Sequence, residues 1–181
     1  YTQPIKTTYA PVGDALADIY FINRMRSQCW NPEGYVYDGD EWVHPVVIYV
    51  PRYRTGNTAL LFIDGGSRNA AANIEEAFVS IALMSGTTVV HVKNIPSQPM
   101  VFGDEVIAPG EEDNYSGEDF VLRQRSEDAA IAYSYDKYLA RERAGDNGAA
   151  AWPMLFPMTR AAVRAMDVAE DVLRGARVPV N

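Results

Sequence analysis

Residues 58–69 read Thr58-Ala59-Leu60-Leu61-Phe62-Ile63-Asp64-Gly65-Gly66-Ser67-Arg68-Asn69, and their order decides the fold class. Five apolar residues, Ala59 to Ile63, stop at an acid, two glycines and a serine. A short apolar run bounded by turn residues is the pattern of a strand buried on both faces, as in a parallel sheet. The glycines let the backbone turn sharply and come close to whatever lies beyond the strand's carboxyl end. In open α/β sheets that end is where ligands bind. From the residues alone Gly65-Gly66 is read first as a tight turn and no more, with Ser67 or Asn69 capping the helix that follows.

Downstream, helical spacing begins near Ala70 and runs to Met84, with Ile74, Ala77, Phe78, Ile81 and Ala82 on the inward face. Ser85-Gly86 is a helix stop, and Thr87 to Val92 is a β-branched run. Strand, helix and strand in this order predict a parallel βαβ unit with a right-handed crossover.

Upstream, residues 1–12 read as an irregular arm, residues 14–20 as a short helix and residues 24–30 as an extended segment. Asn31-Pro32-Glu33-Gly34 is a turn signal. Asp38-Gly39-Asp40 between Tyr35-Val36-Tyr37 and Glu41-Trp42-Val43 predicts a hairpin. Val46 to Val50 continues as a strand ended by Pro51, and Pro45 marks an edge position or a bulge.

After the βαβ unit, residues 94–102 are irregular and proline-rich. Residues 103–122 are expected to be an acidic loop or lid, with seven acids and no Lys or Arg between positions 104 and 119. Ser126 is placed to cap a helix with Glu127 and Asp128 in its first turn and a stripe of Ile131, Tyr135, Tyr138 and Leu139. Residues 144–151 form a small-residue linker. Residues 158–173 form another helix, with Ala162, Val163, Met166, Ala169, Val172 and Leu173 inward, ended by Gly175. Residues 178–181 look like the approach to a further strand. No internal repeat and no second domain is found.

The 181 residues suffice for one domain with a core, and 48% apolar with 22% charged residues is a globular composition. Sixteen Lys and Arg against 24 Asp and Glu leave a net charge of −8, which argues against a phosphate-neutralising stripe and with it a nucleic-acid partner. No apolar run approaches the roughly 20 residues of a membrane span. Cys29, the single cysteine, excludes an intrachain disulfide and is expected to be a packed thiol. No cofactor motif is present, and His44 and His91, one per strand-like run, lack the spacing of a metal site. Glu111-Glu112-Asp113 with Glu118-Asp119 does not fit an EF-hand loop and reads as solvated acid. Because Tyr1 is not methionine, a removed leader or a fragment is expected, which favours a secreted or periplasmic protein.

Four stretches taken together resemble the PhoPQ-activated pathogenicity-related protein family, a branch of the α/β-hydrolase superfamily. They are residues 58–69 (TALLFIDGGSRN), 95–102 (IPSQPMVF), 125–139 (RSEDAAIAYSYDKYL) and 152–167 (WPMLFPMTRAAVRAMD). The resemblance implies the amino-terminal half of an α/β-hydrolase fold, antiparallel at first and then parallel, completed by a second chain or a missing segment. The nucleophile would sit on the strand after the last helix, with acid and histidine later still. It implies an exported serine hydrolase acting on an ester or amide. The alternative is a hydrolase-fold protein that has lost catalysis and serves as a secreted signalling or binding module.

On this resemblance Asp64-Gly65-Gly66 stands where lipases carry a His-Gly-Gly loop, which implies that the loop supplies one oxyanion N–H, that of Gly66 first or Ser67 second, the other following the nucleophile. Asp64 departs from the lipase histidine and is a candidate for the substrate loop. Gln98, beyond the carboxyl end of the 87–92 strand, either meets substrate or fixes the loop. A Ser67 nucleophile is a rival, but Gly-Gly-Ser-Arg lacks the following glycine that a nucleophile elbow needs.

Overall fold

The computed structural model describes residues 4–12, 15–36, 41–108 and 121–178. Seven strands are present among them: β1 (Ile5–Val12), β2 (Ala15–Cys29), β3 (Glu41–Pro51), β4 (Ala59–Ile63), β5 (Thr88–Val92), β6 (Met100–Ile107) and β7 (Val121–Arg125). Three α-helices accompany them: α1 (Glu76–Ser85), α2 (Glu127–Arg143) and α3 (Leu155–Gly175), with a 3₁₀ turn at Ala149–Ala151. The main sheet runs β1-β2-β3-β5-β4, and β6 and β7 form a separate antiparallel ribbon. The protein is mixed α/β: β1, β2, β3 and β5 pair antiparallel, and only β5 and β4 pair parallel.

Alternation along the strands divides the core between the two faces. Ile19, Val47, Tyr49 and Val89 point to one face and meet Phe78, Val79 and Ala82 of α1. Tyr20, Ile22, Val46, Ile48, Val90 and Val92 point to the other and meet Ala161, Ala165, Val168, Ala169, Val172 and Leu173 of α3. Each fully buried Val or Leu stabilises by roughly 1.5–3 kcal/mol, so the α3 interface is one of the main supports of the sheet. A third cluster is aromatic. Trp30, Tyr35, Trp42, Phe102, Tyr133 and Trp152 bring the ribbon and α2 against the end of the sheet, with Phe102 and Tyr133 rings 4.5 Å apart.

Pro45 sits at a bulge, as expected: Ile22 pairs with Val46 and Met25 with His44, so two β2 residues oppose one proline. The bulge lets β3 stay interior, because the Pro45 carbonyl still accepts from Lys93 N–H at 3.0 Å. Gly86 closes α1 in the left-handed region at φ +65°, and its N–H reaches the Ala82 carbonyl. The turn at residues 31–34 forms, with Tyr35 N–H on the Pro32 carbonyl.

Several expectations are corrected. Residues 5–12 of the expected arm form strand β1 and residues 15–20 of the expected helix begin strand β2, since the apolar residues of 16–22 serve both sheet faces in alternation. Tyr35 does not pair across a hairpin with Glu41-Trp42-Val43: it bridges to Phe102, and Trp42 pairs with Gln28. The Asp38-Gly39-Asp40 turn itself lies outside the described residues. The helix expected from Ala70 begins at Glu76, because residues 64–75 are held as a loop by bonds to β5 and beyond. Ile81 faces solvent at 42% exposure rather than the sheet.

Strand β4 is not buried on both faces. It is the edge of the sheet, and Leu60, Phe62 and Ile63 are 44%, 43% and 50% exposed.

Residues 103–107 and 121–122 belong to the ribbon, whereas 109–120, with the Glu111-Glu112-Asp113 and Glu118-Asp119 acids, lie outside the described residues. Asp104 is exposed and is paired with Lys137 and Tyr133. Burial raises its pKa, but bonds from Lys137 and Tyr133 outweigh that and hold it below the usual range.

Helix α2 turns Ala130, Tyr133 and Ser134 inward and leaves Leu139 47% exposed, and Ser126 precedes it without a side-chain cap bond. Helix α3 buries Ala161, Ala165 and Val168, and leaves Val163 and Met166 exposed. Cys29 is exposed, not packed. No described helix is long and apolar enough to cross a membrane.

Candidate functional site

The parallel pair β4–β5 delivers two loops to the same end of the sheet, residues 64–75 after β4 and residues 93–99 after β5. Three consecutive carbonyls of the first loop are held by the second. The Asp64 carbonyl accepts from Ile95 N–H at 3.1 Å, the Gly65 carbonyl from Asn94 N–H at 2.7 Å, and the Gly66 carbonyl from Gln98 Nε2 at 2.8 Å. In a trans peptide the N–H lies opposite the carbonyl. Fixing those three oxygens toward the 93–99 loop therefore turns the N–H groups of Gly65, Gly66 and Ser67 the other way. None of the three donates to a protein acceptor among the described residues. Gly66 and Ser67 are exposed. Gly66 has φ +112°, a region that only glycine enters at low cost.

The second loop is itself rigidly held. Asn94 occupies the left-handed region at φ +64°, and its Nδ2 donates to the Val43 carbonyl at 2.9 Å. His44 is fully buried, and its Nδ1 lies 3.2 and 2.9 Å from the Lys93 and Asn94 carbonyls, while its Nε2 lies 2.8 Å from the Ser27 hydroxyl. Two carbonyl acceptors require the proton on Nδ1, so Nε2 accepts from Ser27. Desolvation lowers the His44 pKa to about 4 against the raising effect of the two carbonyls. Pro96 and Pro99 both follow cis peptide bonds. Arg68 straps the two loops together, its N–H on the Gln98 carbonyl at 2.8 Å and its guanidinium on the Pro99 carbonyl and the Tyr35 hydroxyl.

The expected residues meet here, in different roles. Gly66 and Ser67 form the exposed donor edge. Asp64 turns toward β5, where His91 Nε2 donates to its Oδ2 at 3.0 Å; His91 is fully buried against Phe62 and Phe78. Gln98 is 5% exposed and lies behind the loop, so of its two expected roles the geometry gives loop fixation. At the far end of the loop Glu75 pairs with Lys93, and Lys93 also bonds Asn73 at 2.9 Å. Both imidazoles are engaged away from Ser67, His44 with Ser27 and the loop carbonyls and His91 with Asp64. Among the described residues no group of three or more His, Cys, Asp or Glu could hold a metal.

Sequence reasoning missed Glu127. Its N–H donates to Gln98 Oε1 at 2.8 Å and its carboxylate accepts from Gln98 Nε2, with the backbone at φ +47°. Only its place after a cap-type serine was visible in the sequence. Asn94, at the end of a β-branched run, carried the recognisable signal of an asparagine suited to the left-handed region.

Such a sheet and loop define an α/β protein whose candidate site is a row of backbone amides at the carboxyl end of its parallel pair. The chain belongs to the PhoPQ-activated pathogenicity-related protein family, whose profile matches residues 14–180. It is similar to autocrine proliferation repressor protein A of Dictyostelium discoideum, 28% identical over 154 residues. That match covers 83% of this chain and 26% of the relative, so the chain spans about a quarter of its length. No solved structure matches the chain.

Proposed function

We propose that this chain is the amino-terminal part of an exported serine hydrolase of α/β-hydrolase type, and that it supplies oxyanion donors to a nucleophile carried elsewhere. The observation that carries the reading is the common orientation of the Gly65, Gly66 and Ser67 N–H groups, unpaired and set by three pinned carbonyls. An oxyanion needs donors fixed before charge develops, and preorganised backbone amides cost no reorganisation at that moment. A serine from a further strand would attack an ester or amide carbonyl. The carbonyl oxygen would gain negative charge facing Gly66 and Ser67, and a covalent acyl intermediate would follow.

The open edge of β4 supports the same reading. Its exposed apolar residues Leu60 and Ile63 suit a neighbouring strand supplied by a second polypeptide or a further segment. The test is labelling of the full-length protein by a fluorophosphonate probe. Covalent labelling at one serine is expected; a folded protein that takes no label counts against the enzyme.

A second reading is favoured by the relative's name, a proliferation repressor. In it the fold is kept and catalysis is lost, and the protein acts as a secreted signal or binding module. The residue at the elbow of the full-length chain separates the two, since a signalling protein has no need of a serine there.

A further inference from the structure

We propose that Glu127 is a positioning residue for the Gly66–Ser67 peptide, acting through the Gln98 amide; the inference rests on the reading of this loop as an oxyanion donor. A primary amide has two chemically opposite ends. Gln98 Nε2 donates both to the Gly66 carbonyl and to the Glu127 carboxylate, while Gln98 Oε1 accepts the Glu127 N–H. Turned over, the amide would set its oxygen against a carbonyl and a carboxylate, and its NH₂ against an N–H. Glu127 thus reads the amide at two points and leaves it one orientation. That orientation gives Gly66 a donor and keeps the Ser67 N–H outward.

Two further observations single out the Glu127 side chain. Glu127 occupies the left-handed region at φ +47°, where a side chain other than glycine's is strained. Strain of this kind persists where the surroundings require the residue, and it clusters at functional sites. Gly65 also makes room for the carboxylate: a Cβ there would lie 3.0 Å from Glu127 Oε1. The two glycines of the loop therefore have separate duties. Gly66 supplies the backbone conformation, and Gly65 the space for Glu127. The carboxylate binds the Gln98 NH₂ that holds the Gly66 carbonyl, so it lies on the carbonyl side of the loop, opposite the outward N–H groups.

The test uses the full-length protein and fluorophosphonate labelling kinetics, with Ser67 amide exchange and thermal melting as separate readouts. Glu127→Gly suits the left-handed backbone and removes the side chain with its carboxylate. The maximal labelling rate should fall about 10-fold, less than the 10²–10³ for loss of a whole donor. The probe's half-saturating concentration should hold, and the melting temperature should not drop. Glu127→Gln, which still offers a carbonyl to Gln98 Nε2, should restore most of the rate. Gln98→Glu, made in the Glu127→Gln background so that no second carboxylate shares its proton, places an acceptor opposite the Gly66 carbonyl. The peptide should turn over, and the Ser67 amide should exchange at least about 10-fold more slowly as it bonds the new carboxylate.

Unchanged Ser67 exchange in Gln98→Glu, or a Glu127→Gly variant that melts lower and labels normally, would overturn the proposal. So would a Glu127→Gln variant no better than the glycine. A wild-type protein that takes no label removes the hydrolase reading alone, and Ser67 exchange in Glu127→Gly still decides the role of Glu127: it changes from wild type if the carboxylate sets the peptide and stays the same if it does not.

Discussion

Gln98 Nε2 donates to the Gly66 carbonyl at 2.8 Å, and through that bond a buried side chain fixes which way an exposed backbone amide points. A glycine at φ +112° has access to other conformations, and its peptide could turn either way at small cost. The orientation is imposed by the 93–99 loop, which His44 and Asn94 in turn hold against β3.

Gly66→Ala should lower stability by roughly 1–2 kcal/mol for conformational reasons alone. The nearest atoms to its Cβ would be Ala70 Cβ and Asn94 N at 3.9 Å, so no clash adds to the cost. Gly65→Ala should be milder in stability, since Gly65 is not in the left-handed region and its Cβ meets only the Glu127 carboxylate. Urea unfolding of the two variants checks the order.

Acid should weaken the protein through His44. Its folded pKa of about 4 lies below the ordinary 6.5, so the unfolded chain binds the extra proton between those values. The contribution is fully present above pH 6.5 and is lost as pH falls toward 4, amounting to about 3 kcal/mol over that window. Denaturant titrations at half-unit pH steps should show this slope. A stability that stays flat from pH 6.5 to 4.5 would contradict the assignment of His44 as a buried neutral imidazole.

Asp64→Ala should cost about 1–3 kcal/mol, the penalty of leaving a buried donor unsatisfied. His91 Nδ1 already lacks a hydrogen-bond partner, and the substitution strips Nε2 of its only one. Asp64→Asn retains an acceptor and should recover most of the loss. Thermal melting of the pair separates this from a charge effect.

A polypeptide confined to these 181 residues should self-associate through the β4 edge, where Leu60, Phe62 and Ile63 are half exposed. Ile63→Lys should suppress the association. Sedimentation velocity over a concentration series is the measurement, and a monomeric, cooperatively melting wild-type fragment is the opposing result.

The parallel β4–β5 pair and the loop beyond it were legible because Ala59–Ile63, Asp64-Gly65-Gly66 and Thr88–Val92 carry their signals locally. Strand β2 was not. With Ile19 serving the α1 face, and Tyr20 and Ile22 the α3 face, its apolar residues run together and imitate a helical stripe. The late start of α1 was hidden for a different reason: bonds from His91 of β5 to Asp64 and from Lys93, just beyond it, to Glu75 hold the intervening residues out of a helix. The place of β4 at the edge follows from what pairs with it, which composition does not encode. Gly66 and Ser67 could be located from the glycine pair, but the direction of their N–H groups depends on Asn94, Ile95 and Gln98, about 30 residues away in sequence.

The most direct measurement is a structure of the full-length protein carrying a phosphonate adduct. The account predicts the phosphonyl oxygen within about 2.7–3.1 Å of the Gly66 and Ser67 nitrogens, with the Gly66 carbonyl still on Gln98. An adduct whose oxygen is bound by other groups, with these two amides facing solvent, would contradict it.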